Sequence, residues 1–317
     1  MAKYVLRRLA EMIPLLFLVS VAAFVLVRIM PGDAATAYLN SINAQITEEA
    51  LAKVRAELGL DGPVWLQYIR WLKQVARLDL GVSYMTKKPV LDQLLLGLRY
   101  TMLLTGAAAV WIVCLSLPLG IAAGVRPGKA ADQVIRYLTF LGSSMPSFWL
   151  GFVLVELFAL KLKVLPVQGA ASWRNLILPS ATLACSYVAM YTKMVRNGIV
   201  ENGRRRFAVY GKARGLGSGM ILLRHVLPNS LNPIVTTLGL SLGSMLSGSV
   251  IVENVFAWPG MGRLIVSAVS GRDYPMIQGY ILVIAAVFTL LNLCADMICA
   301  AMDPRIRLGA YGEGRQG

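Results

Sequence analysis

Side chains able to do acid–base, nucleophilic or metal chemistry are few in this chain and stand far apart. The only histidine is His225, so no imidazole cluster can hold a transition metal, and no nucleophile has a neighbouring histidine base. Gly128-Lys129 and Gly211-Lys212 lack the preceding glycine and the following Ser or Thr of a phosphate-binding loop, which excludes ATP hydrolysis by that route. Cys114, Cys185, Cys294 and Cys299 fall in apolar runs with no Cys-x-x-Cys pair. They read as small buried hydrophobes rather than disulfides or a metal cluster. Charge inside apolar sequence is what remains: Glu156 lies within a long run, with Glu253, Asn292 and Asp296 nearer run ends. Ionisable groups in a bilayer are costly and face a pathway or a partner. Glu156 stands open between pathway and pairing, whereas Glu253 and Asp296 read first as paired or snorkelling. The sequence predicts no catalytic site, no metal site and no cofactor bound by the chain itself.

The elements that position these groups are membrane helices. Of 317 residues, 57% are hydrophobic and only 15% charged, with a mean hydropathy of +0.63, which defines a polytopic membrane protein. A net charge of +15 would suggest nucleic acid in a soluble chain. Here the basic residues fall between bilayer-length apolar runs, so anionic headgroups and cytoplasmic retention explain them and no nucleic acid is expected. The expected fold is all-α with six transmembrane helices, at about residues 9–30, 100–125, 134–160, 176–195, 234–256 and 277–302, each near the roughly 20 residues a span needs. The first is read as uncleaved, because its apolar run exceeds the roughly 7 to 15 residues of a signal peptide. With the N-terminus inside, the tails and two cytoplasmic loops with adjacent helix ends carry 17 Lys and Arg against five in the short external loops. Both termini are therefore expected in the cytoplasm. The expected divisions are a basic N-terminus and first helix over 1–30, an extracytoplasmic helical segment over 31–98, a core over 99–307 with a cytoplasmic loop at 196–230, and a tail over 308–317.

In the external segment, Thr47-Glu48-Glu49 predicts a helix start. Asp61-Gly62-Pro63 predicts another, with an apolar stripe of Trp65, Tyr68, Ile69, Leu72 and Val75 that packs on the spans or lies at the interface. Met145-Pro146-Ser147-Phe148-Trp149 predicts a kink in the third span. Gly239, Gly243 and Ser247 put small residues four apart on one helix face, for packing within the chain or against a partner.

The organising stretch is 204–228, RRRFAVYGKARGLGSGMILLRHVLP. Phe207 and Tyr210 share one side of a short helix, with Lys212 and Arg214 nearer the other. Gly215, Gly217 and Gly219 are expected to end it through the left-handed cap conformation. A second helical segment then runs into Pro228. The predicted shape is helix, glycine break, helix.

Gly215 followed after nine residues by His225-Val226-Leu227-Pro228 resembles the signature loop of the membrane subunits of ABC importers. Val209-Tyr210-Gly211 stand where that family has Glu-Ala-Ala, and His225 replaces its Ile. The resemblance implies that Phe207, Tyr210, Gly211, Lys212, Ala213, Arg214, Gly215, Leu227 and Pro228 couple to an ATPase subunit. Leu58-Gly59-Leu60-Asp61-Gly62-Pro63, Gln67-Tyr68 and Leu80-Gly81-Val82-Ser83 are similar to the external segment of peptide and nickel importer subunits. Ala257-Trp258-Pro259-Gly260-Met261-Gly262-Arg263 with Arg272-Asp273-Tyr274-Pro275 resembles the family's outer gate. Met302-Asp303-Pro304-Arg305-Ile306-Arg307 resembles its ending.

Over nearly the whole chain the sequence resembles the dipeptide, oligopeptide and nickel group of importer permeases, and most the nickel branch. The expectation is an inner-membrane permease of a bacterium, forming half of a pore for nickel as a chelate, with di- or oligopeptide as the alternative substrate. A secondary transporter is the alternative of another class, but no half-length repeat supports it. Family resemblance implies a second permease, two ATPase subunits that bind ATP and Mg, and an external binding protein as partners. Met145, Glu156, Ser247, Glu253 and Trp258 are the expected gate or pathway residues.

Overall fold

Long apolar runs become helices here because a backbone surrounded by lipid must satisfy its own hydrogen bonds. The computed structural model describes residues 2–29, 33–42, 44–57, 59 and 61–302. Pro31-Gly32, Leu58, Leu60, the ending after Met302 and the 308–317 tail, on which sequence expectations fall, lie outside these residues. So do the side chains of Lys3, Arg7, Arg8 and Cys299.

In chain order the helices are α1 (Ala2–Ile29), α2 (Ala34–Ser41), α3 (Glu48–Glu57), α4 (Val64–Ala76), α5 (Val90–Val125), α6 (Ala130–Ser144) and α7 (Ser147–Leu154). They continue as α8 (Arg174–Gly203), α9 (Arg206–Ala213), α10 (Ser218–Ile221), α11 (Leu227–Val255), α12 (Met261–Ser270) and α13 (Tyr274–Met302). Wider π turns extend α7 over Val155–Lys161 and join α10 to α11 over Leu222–Val226. Among the described residues there is no strand, only an isolated bridge between Val82 and Pro89.

Among the described residues four helices are long and apolar enough to cross a membrane, and a fifth span results if the bent pair of α6 with α7 is counted as one. That pair turns by 106° at Met145-Pro146, where the sequence predicts a kink; Pro146 removes an amide donor and disfavours helix at the residue before it. Six spans were expected. The one that apolarity does not pick out is 176–195, which lies inside α8. Ser180, Thr182, Thr192 and Asn202 of α8 are buried; a helix enclosed by other helices can carry polar groups that a lipid-facing one cannot.

The chain divides into two compact units. The first comprises Met1–Thr101 and Pro259–Leu290. Its core joins Val90 and Leu94 of α5 to Met261 and Ala268 of α12 and to Tyr274 and Ile277 of α13. Gly279 permits this contact, since a Cβ there would come within 2.7 Å of Val90 Cγ1. The predicted helix start at Thr47 is present, with Ala50 N donating to Thr47 Oγ1 at 3.2 Å. Asp33 caps α2 and accepts from Arg55 Nη2 at 2.7 Å. Asp273, between α12 and α13, is 1% exposed and accepts from Ser83 Oγ at 2.5 Å and Tyr84 N at 3.0 Å in the loop between α4 and α5. Burial, and after it the charge of Asp273, pushes the Tyr84 phenol up.

The second unit comprises Met102–Trp258 and Leu291–Gly317. Here α8 lies against α6, α7 and α11. Small residues set the distances. A Cβ on Gly120 would meet Val195 Cβ at 2.5 Å, one on Gly124 would meet Ile199 Cβ at 2.9 Å, and one on Gly198 would meet Ser230 Cβ at 3.0 Å. One expectation fails: Cys114 and Cys294 are exposed and Cys185 is half-buried. Apolar sequence does not imply burial when the surroundings are lipid.

Candidate functional site

The 204–228 stretch folds as helix, glycine break, helix, as its residues predict. Arg205 holds the N-cap position of α9 without a side-chain cap bond, its guanidinium donating instead to Glu201 Oε1 near the end of α8 at 2.7 Å. Ala208 and Gly211 form the buried side of α9, Phe207 is half-buried, and Val209 and Tyr210 are 54% and 65% exposed. Phe207 and Tyr210 thus differ in environment although they share a flank. Gly211 is a packing glycine, because an added Cβ would stand 3.3 Å from the Ile221 side chain. Gly215 is a conformational one, with φ at +81°. Gly215 N donates to Lys212 O and Leu216 N to Gly211 O at 3.0 and 3.1 Å, which closes the helix by a left-handed cap.

The other two glycines do something different from the expectation. Gly217 has φ −61° and precedes α10, and Gly219 lies inside α10. Only Gly215 of the three uses the left-handed region. From α10 the backbone passes through the π turn into α11, with Pro228 in its first turn, where the missing amide costs no helix bond.

The stretch presents an outward surface. Lys212, Ala213, Arg214, Gly215, Leu216, Met220, Leu223 and Pro228 are exposed, and Leu227 is half-buried. Beneath it Ala208, Ile221 and Val226 are buried, and Ser230 Oγ both donates to Val226 O at 2.7 Å and accepts from Asn202 Nδ2 at 3.1 Å. An exposed aromatic and aliphatic surface with a basic rim, held on a buried polar seat, is suited to binding another protein. It brings together no group for covalent chemistry.

Sequence reasoning missed the clamp that fixes the α8 end of this seat. Asp132 of α6 is fully buried and accepts from Arg196 Nε at 2.6 Å, Arg196 Nη2 at 2.7 Å and Gly128 N at 2.8 Å. An acid near the start of a predicted span, facing a base just after another, was the available signal.

The gate and pathway residues do not converge on one place. Met145 is half-buried at the α6–α7 bend. Glu156 is exposed on the π turn after α7, with Lys161 Nζ 3.5 Å away. Glu253 is fully buried near the end of α11 and accepts from Ser249 Oγ at 3.0 Å. Trp258 is 2% exposed, and its backbone N donates to Glu253 O at 2.8 Å. Ser247 is exposed, while Gly243 is buried and Gly239 abuts Ala295 of the chain's own last helix, 2.7 Å from where its Cβ would be. Gly239 is therefore an intrachain packing glycine. No group of His, Cys, Asp and Glu able to hold a metal occurs among the described residues.

A helical membrane protein with paired apolar helices and a structured basic loop between two of them is the architecture of a transporter's membrane subunit. The chain belongs to the family described as "Binding-protein-dependent transport system inner membrane component", which matches residues 116–308, while residues 1–105 match that family's N-terminal domain. Among curated relatives, the glutathione transport system permease protein GsiC of Escherichia coli strain K12 is 37% identical over 308 residues, covering 97% of this chain and 99% of the relative. GsiC of Salmonella paratyphi A is 36% identical over 307 residues, with the same coverage. Among solved structures, the MetNI methionine ABC transporter in an inward-facing form aligns with a TM-score of 0.57 at 18% identity, over 67% of this chain and 96% of that one. An amino acid ABC transporter crystallised with histidines aligns with a TM-score of 0.51 at 19% identity, over 68% and 94%. The chain is thus a multi-pass inner-membrane permease subunit of an ABC importer, a membrane component and not a catalytic enzyme.

Proposed function

We propose that this chain forms half of the translocation pore of an ATP-driven importer of small peptides, with glutathione the first substrate to test. The observation that carries the reading is the 37% identity with GsiC along almost the entire length of both chains. It favours the peptide alternative over nickel, because the relatives that match end to end are named for a tripeptide. The secondary-transporter alternative loses its support with the family assignment.

The remaining features follow as one arrangement. We count six spans, with the α6–α7 pair as the third and α8 as the fourth; an even number puts both termini on one side of the membrane, and the excess of Lys and Arg on that side supports the cytoplasm, with 31–98 outside. The 204–228 loop then faces the cytoplasm, where Tyr210, Lys212, Ala213, Arg214 and Gly215 present a docking surface for an ATPase subunit. Two such subunits bind ATP and Mg, a second permease completes the pore, and an external binding protein delivers substrate. ATP binding moves the docked helix, and the pore alternates its access through a two-state change.

Uptake of radiolabelled glutathione, a dipeptide and nickel in bacteria with and without this gene tests substrate. Loss of glutathione uptake alone assigns the tripeptide; loss of dipeptide uptake moves the assignment within the peptide group. Loss of nickel uptake alone overturns the peptide reading. Tyr210→Asp and Phe207→Asp test docking: transport should be abolished with the protein still inserted, and normal uptake would refute the loop's coupling role.

A further inference from the structure

We propose that α4, in the segment following α1, lies in the plane of the bilayer with one face in the hydrocarbon and its cationic face at the phospholipid headgroups. It is not a helix of a water-surrounded external domain. The depth follows from what α4 touches on α1. Tyr68 Oη is 2.8 Å from Ser20 Oγ, and the Tyr68 ring packs on Phe24 and Phe17 with centroids 5.1 and 6.4 Å away. Ser20 stands at the middle of the apolar stretch Ala10–Ile29, about 14 Å inside Ile29 at the rise of a helix. Trp71 packs on Phe24 at 5.6 Å, about 7 Å inside that end. The neighbouring Gln67 accepts a hydrogen bond from Arg28 at the mouth of the span. A helix fixed to the second half of a membrane span between these levels cannot stand clear of the membrane.

The faces of α4 agree with that depth. Turning 100° per residue, Val64, Tyr68, Trp71 and Val75 lie on the arc that meets α1, and Trp65, Ile69 and Leu72 continue the apolar arc beyond it. Among the described residues nothing covers that apolar surface fully: Trp65, Val64 and Ile69 are 64%, 56% and 40% exposed. Arg70, Lys73 and Arg77 stand on the remaining arc, all exposed, with Lys73 at its edge beside Ile69 and half-buried Leu66 between Lys73 and Arg77, and positions 64–77 contain no acid. A broad apolar arc with aromatic residues and a second arc whose charges are all cationic are the features of a helix whose apolar face sinks roughly 5–10 Å into the headgroup and acyl boundary. Lys and Arg on the other side reach the phosphates along their flexible stems.

Which leaflet α4 occupies rests on the N-terminus-inside orientation of the proposed function; that it occupies a leaflet does not. The test uses the assembled transporter in phosphatidylethanolamine/phosphatidylglycerol liposomes. Spin labels are placed at Ile69→Cys or Arg70→Cys, about 100° apart on the helix, in a chain whose own four cysteines are replaced by Ala. Collision with oxygen, which concentrates in hydrocarbon, is compared with collision with chromium oxalate, which stays in water. The label at 69 should favour oxygen several-fold, and the label at 70 should favour chromium oxalate. A label at 69 that meets chromium oxalate freely would overturn the proposal, and so would one shielded from both reagents, which would show a protein partner on this face. Reaction of Arg70→Cys with an impermeant maleimide added outside intact cells reports the side separately. Labelling from the cytoplasmic side alone would overturn the orientation and leave the depth result standing.

Discussion

Asp132 and Arg196 form a bidentate ion pair, 2.6 and 2.7 Å between heavy atoms, in which the carboxylate is fully buried and the guanidinium 20% exposed. Gly128 N supplies a third bond. The pair ties the start of α6 to α8 ten residues before α9 begins. Asp132→Ala leaves a guanidinium without its partner at a mostly buried site, a change that costs about 3–5 kcal/mol in buried pairs. A marked fall in thermal midpoint in detergent is expected. Asp132→Asn keeps the shape and should lose less. A midpoint unchanged in Asp132→Ala would show that the pair holds nothing.

Asp273 holds residues 188 to 190 positions away in sequence. It accepts from Ser83 Oγ, Tyr84 N and Met85 N. Asp273→Ala removes all of these acceptors at once and leaves buried donors unpaired, at about 1–3 kcal/mol for each group that water cannot reach. The 83–89 loop should then open before the unit does. Lys87-Lys88 lies in that loop, so trypsin should cut there faster in the variant than in the parent. Equal cleavage rates would show that the loop is held by other contacts.

Local signals made part of this fold readable. The α6–α7 bend follows from one proline, the α9–α10 break from one glycine with the helix signals around it, and the α3 start from Thr47 and its acids. The rest depends on partners distant in sequence. Tyr68 reaches Ser20 across 48 residues, so the α4 stripe could be seen without seeing what it covers. Cys114 and Cys294 misled because hydropathy measures avoidance of water, and lipid satisfies that as well as a protein core does. The polar α8 is the converse case, a helix enclosed by others whose buried Ser and Thr lower its apolar character. At the candidate site the helix–break–helix form was legible from the glycines. The division of labour among them was not, since Gly211 is required by Ile221 and Gly215 by its own φ.

Two glycines of α5 make a controlled comparison. A Cβ on Gly120 would stand 2.5 Å from Val195 Cβ and 3.0 Å from Thr192 O, whereas one on Gly106 meets nothing within 4 Å. Both changes to Ala raise helix propensity by up to about 1 kcal/mol. Only Gly120→Ala forces α5 and α8 apart, with an overpacking cost of about 1–3 kcal/mol. Thermal denaturation should show Gly106→Ala neutral or slightly stabilised and Gly120→Ala destabilised. Equal midpoints would mean that α8 yields at no cost.

The same logic separates Gly215 from Gly217 at the candidate docking surface. Neither would crowd a neighbour with a Cβ, but Gly215 has φ +81° and Gly217 φ −61°. Gly215→Ala therefore introduces conformational strain alone, about 1–2 kcal/mol for a left-handed residue, and a β-branched Val introduces more. Gly217→Ala fits its native backbone and should be neutral or gain about 0.4–1 kcal/mol by restricting the unfolded chain. If α9 docks an ATPase subunit in the form seen here, Gly215→Ala should weaken that association about 5- to 30-fold, the factor equivalent to its strain. Gly217→Ala should leave it unchanged. The measurement is the dissociation constant of the partner ATPase from the reconstituted permease, followed by uptake. Equal affinities for the two variants would show that the left-handed cap is not part of the docked surface.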